Sequence, residues 1–302
     1  MANVTVTEAA AFIPEIWAAT ALGRLRARTV MAQLVNRNFE NEVARFGDIV
    51  NVPVRGTLTV NNKAANTVVT LQTPSATTLP LTLNKHKEVS FIIEDVAAAQ
   101  SNQDIIQGYI DDAVGAIAEQ VDTDILALYA GFSTTPINAT TGGGGIVAAT
   151  ITEARRLLNA AKAPQDNRYI VWHEDAEAAL LNNDKLTSAE FGDSGSAVSE
   201  AVMGRKYGFT HLMSQLVPTA TSETKNLAFH RDAIMMATRP LPPPPPDTGA
   251  RGVTMNEGGL SIRVLYAYNA SHLGVQVTLD ILYGVAELRD NHAIVIRGTE
   301  GA

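Results

Sequence analysis

The chain has no cysteine among its 302 residues. This removes disulfides, thiol catalysis and thiolate metal sites, and leaves burial and subunit contacts to supply stability. A reducing cytoplasm suits such a sequence. No stretch approaches the ~20 apolar residues that span a bilayer, so no membrane partner is expected. Met1–Ala11 lacks the charged and apolar regions of a signal peptide, and export through the general secretory route is not expected either. Basic charge is also in short supply, with 23 Lys and Arg against 31 Asp and Glu and a net charge of -8. Tight nucleic-acid binding needs clustered cations that displace counterions, and this balance argues against it.

The shortage of basic residues is uneven. From Glu88 to Ala154 there is no Lys, Arg or His, while Glu88, Glu94, Asp95, Asp104, Asp111, Asp112, Glu119, Asp122, Asp124 and Glu153 are acidic. The region before it holds Arg24, Arg26, Arg28, Arg37, Arg45 and Arg55. Two readings fit: the basic arm lies across the acidic stretch, within a subunit or between neighbours, or the acids form a solvated face.

Catalytic motifs are missing as well. His173-Glu174-Asp175 is the strongest acid–base cluster, but its place between a strand and a helix makes the acids ordinary first-turn residues that favour the helix dipole. The other histidines, His86, His211, His230, His272 and His292, stand singly without metal-ligand spacing. Gly142–Gly145 is not followed by a Gly-Lys-Ser/Thr ending, and the serines of Asp193-Ser194-Gly195-Ser196 lack a nucleophile elbow. An enzyme is not expected, and no cofactor or metal site is identified.

What the chain does have is 46% hydrophobic content, sufficient for a substantial core in one or two domains. Phe12, Ile16, Ala19, Leu22 and Leu25 fall near helical spacing, so residues 10–38 predict one or two helices. From Gly47 the pattern turns extended and Thr-rich, with a tip placed at Asn61-Asn62-Lys63 and a return through Val89–Ile93. A two-stranded ribbon of that length is marginal alone, and its open edges invite a partner. Then Ile106, Ile110, Val114, Ile117, Val121, Ile125 and Leu128 mark one stripe of an amphipathic helix over Ser101–Tyr129, with Ser101 and Asp104 as a capping box. Short helices and strands alternate from Thr150 to Pro240: helices 152–162 and 174–182, strands 168–172, 207–212 and 227–230, and a helical or extended piece at 232–237. The proline run Pro242–Pro246 acts as a stiff connector. Strands Leu260–Tyr268, Val275–Leu282 and Ala293–Arg297 close the chain.

This order of elements, with the phrases Asn226–Ile234, Arg239-Pro240-Leu241-Pro242, Gly259–Val264 and Asp280–Val285, resembles the major capsid (coat) protein of tailed bacteriophages. The resemblance covers nearly the whole chain. It implies an α+β Hong Kong 97-type capsid fold: N-terminal arm 1–46, extended β-hairpin loop 47–93, peripheral domain 94–149 with spine helix 101–129, α/β axial domain 150–241, and closing strands 242–302 that return to the peripheral sheet. It further implies a virion shell protein, assembled in the host cytoplasm, that forms pentamers and hexamers of an icosahedral head. Double-stranded DNA is then enclosed without sequence-specific binding.

The chain starts at its arm, so the expected partners are a separate scaffolding protein, a portal, and cement or decoration proteins. Interface candidates are Arg24, Arg26, Arg28, Arg55, Lys63, Lys85, Lys87, Asp111, Asp112 and Glu119. Some relatives cross-link Lys to Asn with the help of a Glu; Lys63 is in reach of a neighbour, but no sequence signature identifies its partners. An encapsulin-like nanocompartment shell, which shares the fold, is the alternative.

Overall fold

The computed structural model describes residues 30–39, 49–95, 104–139, 145–183, 186, 204–245, 249–257 and 260–299, residue 57 apart. The expected helices at 10–29, the Ser101 cap and most of the loop at 183–199 lie outside these residues. Helix α1 is Met31–Leu34, followed by strands β1 (Ile49–Arg55), β2 (Ala76–Thr82) and β3 (Lys85–Glu94). Helix α2, Asp104–Leu126, runs into a 3₁₀ turn at Ala127–Gly131. Then come β4 (Ile137–Asn138), α3 (Ala148–Ala160), β5 (Arg168–Trp172), α4 (Glu174–Leu181), β6 (Arg205–Lys206), β7 (Phe209–Met213), β8 (Thr219–Ala220), β9 (Glu223–His230), β10 (Ile234–Arg239), β11 (Ala250–Glu257), β12 (Leu260–Asn269), β13 (Gly274–Glu287) and β14 (Ala293–Thr299).

Two sheets share one core. The first contains β3, β10, β11, β12 and β13, and the 14-residue β13 organises it. On one side Gly274–Asp280 pairs with β12 and Leu282–Glu287 with β10; on the other Gly274–Tyr283 pairs with β3. Alternation decides which face is covered. Val277, Leu279, Ile281 and Tyr283 of β13, with Ile262 and Val264 of β12, join the helix residues Ile110, Val114, Ile117, Val121 and Ile125 in one cluster. The helical stripe read from the sequence is therefore the face that covers this sheet. The 23 residues of this helix are about 35 Å long, and the expected last turn, from Ala127, tightens to 3₁₀.

The second sheet runs β4-β14-β9-β5-β7-β6, with β8 on β9. Its central strands β5 and β9 are buried almost throughout. One face packs on α3 and α4 through Ile151, Ala154, Leu158, Ala176 and Leu180. The other presents Val171, Leu227, Phe229 and Val295 to the cluster around α2.

The chain crosses between the sheets at two places that differ from the expected boundary at 241/242. β9 belongs to the second sheet and β10 to the first, joined by a 3₁₀ turn at Arg231–Ala233. β13 belongs to the first and β14 to the second, so the last strand does not return to the sheet of β12 and β13. The two crossings lie together, where the backbone N–H groups of Leu288 and Arg289 donate to the Ala233 carbonyl at 2.8 and 3.2 Å. The proline run stays within the first sheet, carrying the chain from β10 to β11; Arg263 Nη1 donates to the Pro242 carbonyl at 2.9 Å.

Candidate assembly interface

The hairpin is built from two unlike halves. Near its root β1 and β2 pair from Ile49↔Thr82 to Arg55↔Ala76. Val52, Leu81 and Leu83 there pack on Met235 and Ala237 of β10, the face turned away from α2. The crossing is tight: a methyl group at Gly284 of β13 would sit 2.3 Å from the Thr82 carbonyl oxygen. Beyond Arg55 and Ala76 regular pairing ends. Gln72 bridges the two arms instead, its Oε1 accepting from the Thr59 N–H at 2.9 Å and its Nε2 donating to the Thr59 carbonyl at 2.5 Å. The tip is at Ala65-Asn66, where Asn66 takes a φ of 60°, a conformation Asn tolerates better than most residues. That corrects the expected tip by three residues. The return strand ends at Thr82, because β3 pairs with β13 and not with β1.

The distal half buries almost nothing in its own subunit. Val60 is 99% exposed, Val68 92% and Leu71 90%, with Leu58 and Val69 also exposed. Burying five such side chains is worth on the order of 10 kcal/mol of gross transfer energy, comparable with the cost of association.

The acids of α2 have separate jobs. Asp122 is buried and accepts from the backbone N–H groups of Val30 and Met31 at 3.2 Å each, capping α1, whose own N-cap residue makes no side-chain bond. Burial pushes its carboxyl up to about 6, against the pull of those N–H groups. Such a group binds its proton more tightly folded than unfolded, so its contribution to stability falls as pH rises from about 4 to about 6. Asp122→Asn, which keeps an acceptor without the charge, is expected to remove that slope in denaturant melts run across this range. Asp122→Ala is expected to cost about 1–2 kcal/mol at pH 7 by loss of the cap.

Asp124, two residues further on, accepts from Tyr283 Oη at 2.7 Å and lies 3.2 Å from Lys85 Nζ and 3.9 Å from Lys87 Nζ. Burial opposes its ionisation, but these partners prevail and hold the carboxyl below the usual range. The candidates Lys85 and Lys87 thus turn inward onto the helix of their own subunit. Asp112 and Glu119 are exposed on α2, on which Asp111 also lies; Arg55 ends β1. Lys63 is exposed near the tip, its Nζ donating to the Ala64 carbonyl at 2.9 Å. Arg24, Arg26 and Arg28 lie outside the described residues. The described part of the arm is tied to α2 by the Asp122 carboxylate, which accepts from backbone N–H groups, and by Met31, Ala32 and Val35 in the shared core.

Several of the described histidines make structural hydrogen bonds. His173 caps α4, its Nδ1 accepting from the Asp175 N–H at 3.3 Å, and His230 does the same for Asp232 at 3.2 Å. His211 Nδ1 accepts from Trp172 Nε1 at 3.0 Å, and burial pushes this imidazole down to about 4, so it stays neutral. His86 and Arg263 both bond the buried Asp280. No group of three or more His, Asp or Glu positioned for a metal occurs among the described residues, and no helix among them is long and apolar enough to cross a membrane. Sequence reasoning passed over Asp122, Asp124 and Asp280 as individuals; a lone acid in or beside an apolar stripe was the available signal.

Comparison with curated proteins gives no significant match. Solved structures are more informative about the fold. The chain superposes on a protein of Mycobacterium phage Che8 with a TM-score of 0.67 at 19% identity, covering 89% of this chain and 90% of that one. It is equally similar to the capsid structure of cyanophage P-SCSP1u, with a TM-score of 0.67, 16% identity and coverage of 90% and 89%. The SrpI encapsulin complex of Synechococcus elongatus is more distant, with a TM-score of 0.52, 13% identity and coverage of 89% and 87%. A family model for phage capsid proteins matches residues 31–240, a span from the start of α1 through the hairpin, α2 and strands β4–β9 of the second sheet to the end of β10. The chain therefore belongs to the phage capsid protein family, and with its α+β Hong Kong 97-type fold it is a major capsid protein of the tailed-phage kind.

Proposed function

We propose that this capsid protein forms the pentamers and hexamers of an icosahedral head that encloses double-stranded DNA as a container, without reading its sequence. The observation that carries this is the distal hairpin: apolar, exposed and unladdered, it gains stability only against another molecule. Head-to-tail placement of each hairpin on the next copy closes into rings. In this reading the hairpin is the loop that reaches over a neighbour, α2 with the first sheet is the peripheral domain, and the second sheet with α3 and α4 surrounds the five- and six-fold centres. The basic arm with Arg24, Arg26, Arg28 and Arg55 lies across the acidic stretch of Asp111, Asp112 and Glu119, within a subunit or between neighbours, and Lys63 at the hairpin reaches a neighbour. A separate scaffolding protein directs assembly in the host cytoplasm, a portal admits the DNA, and cement proteins support the outside. The net acidic subunit suits this role, since DNA bound tightly to the wall would resist packing and ejection. The test is the content of particles purified from cells expressing the chain with its neighbouring genes. Nuclease-resistant double-stranded DNA is expected; a protein cargo in its place would favour a nanocompartment.

A further inference from the structure

We propose that, in the assembled shell, Thr67–Gln72 of one copy adds as a strand to the free edge of β3 at Val89–Ile93 of a second copy. This deepens the assembly reading and rests on it. Three observations meet at this contact.

The first is an open edge. β3 pairs with β13 alone, so its other edge has no strand partner among the described residues. Charged side chains discourage strand addition at sheet edges, and β3 carries Lys85, His86, Lys87 and Glu88 before the window and Glu94 after it. Between them Val89-Ser90-Phe91-Ile92-Ile93 is uncharged. β11, the other long edge of that sheet, contains Gly252 and bears Arg251 and Glu257 near its ends, which leaves it less suited.

The second is a strand without a sheet. Thr67-Val68-Val69-Thr70-Leu71-Gln72 has high strand propensity and no charge, proline or glycine. The structure leaves it exposed and outside every ladder, and at Thr59 the opposite arm is met by the Gln72 side chain. Its backbone donors and acceptors gain sheet partners only from outside, and main-chain pairing with pockets for alternate side chains is how an added strand is held.

The third is charge. Residues 56–75 contain one cation, Lys63, and no acid. The window on β3 is rimmed by exposed Glu88, Glu94 and Asp95. A hairpin from another copy therefore meets complementary charge for Lys63 at the Glu94–Asp95 end of the window, while at the other end Glu88 stands beside Lys85 and Lys87. Apolar contact continues the match: Ile92 is 38% exposed on the outer face of β3, where an added strand places Val69 and Leu71 or Val68 and Thr70 beside it.

The absence of native cysteine makes the test direct. Ile92→Cys is combined in turn with cysteine at each of positions 67–72, starting with Leu71→Cys, in shells oxidised under mild conditions. Paired residues on neighbouring strands lie within disulfide reach, so at least one combination is expected to give covalent rings on a non-reducing denaturing gel while the single substitutions stay monomeric. Shells that form normally yet yield no cross-link at any of the six positions would overturn the strand addition and leave the assembly reading standing. Amide exchange on the unsubstituted protein gives a second reading independent of variants. The amides of residues 89–93 and 67–72 are expected to slow by about tenfold or more in shells relative to free subunits, and unchanged exchange there would also overturn it. Unsubstituted chains that form no shells would contradict the assembly reading itself.

Discussion

Replacing residues 57–74 by Asn-Gly is expected to leave the subunit as stable as the parent and to abolish shell formation. Gly56 N–H donates to the Ser75 carbonyl at 2.8 Å, so the cut falls where the root is still closed, and Asn-Gly supplies the type I′ turn that joins two antiparallel strands. The removed side chains Leu58, Val60, Val68, Val69 and Leu71 are exposed in the subunit, so their loss costs the isolated fold little and its denaturant midpoint should stay within about 0.5 kcal/mol of the parent. Assembly loses all of their burial, on the order of 10 kcal/mol of gross transfer energy per subunit. Sedimentation should show shells for the parent and only free subunits for the variant. Shells from the shortened chain would mean that the hairpin is ornamental.

Gly284→Ala is the second large effect, and it acts at the other end of the same element. The added methyl meets the Thr82 carbonyl oxygen at 2.3 Å and the Leu83 Cα at 3.2 Å, and neither is the flexible end of a side chain. Either β13 or the hairpin root has to shift. Overpacking of this kind costs about 1–3 kcal/mol, and the shift spreads into Leu81, Leu83, Met235 and Ala237, which form the small core beneath the root. A lower denaturant midpoint together with a reduced yield of shells is expected. An unchanged midpoint would show that the close crossing is not a constraint.

Much of this architecture was legible because the periods of helix and strand differ. The apolar stripe of α2 was readable from Ile110 to Ile125, and the strand at Arg168–Trp172 was bounded correctly because Pro164 and a helix-opening His-Glu-Asp flank it. The 3₁₀ crossing at Arg231–Ala233 was not legible. His230, Arg231, Asp232 and Ala233 separate two apolar strands by too little for periodicity to register a change of sheet, while the far more conspicuous proline run makes only a connection within one sheet. Partner choice for β3 was equally hidden, since an alternating strand fits either a hairpin or a sheet and only the tertiary register assigns it to β13. Of the interface candidates, the lysines of β3 illustrate the limit of charge reading. Strand alternation turns Lys85 and Lys87 toward Asp124 on the helix that covers the same sheet, a contact that charge alone does not locate.

The measurement that tests the central claim most directly is electron microscopy of the chain co-expressed with its neighbouring genes. Closed icosahedral shells with five- and six-fold capsomers, each hairpin lying on an adjacent copy, are the predicted result. A protein that stays a dispersed 32.1 kDa monomer with those neighbours present would contradict the account.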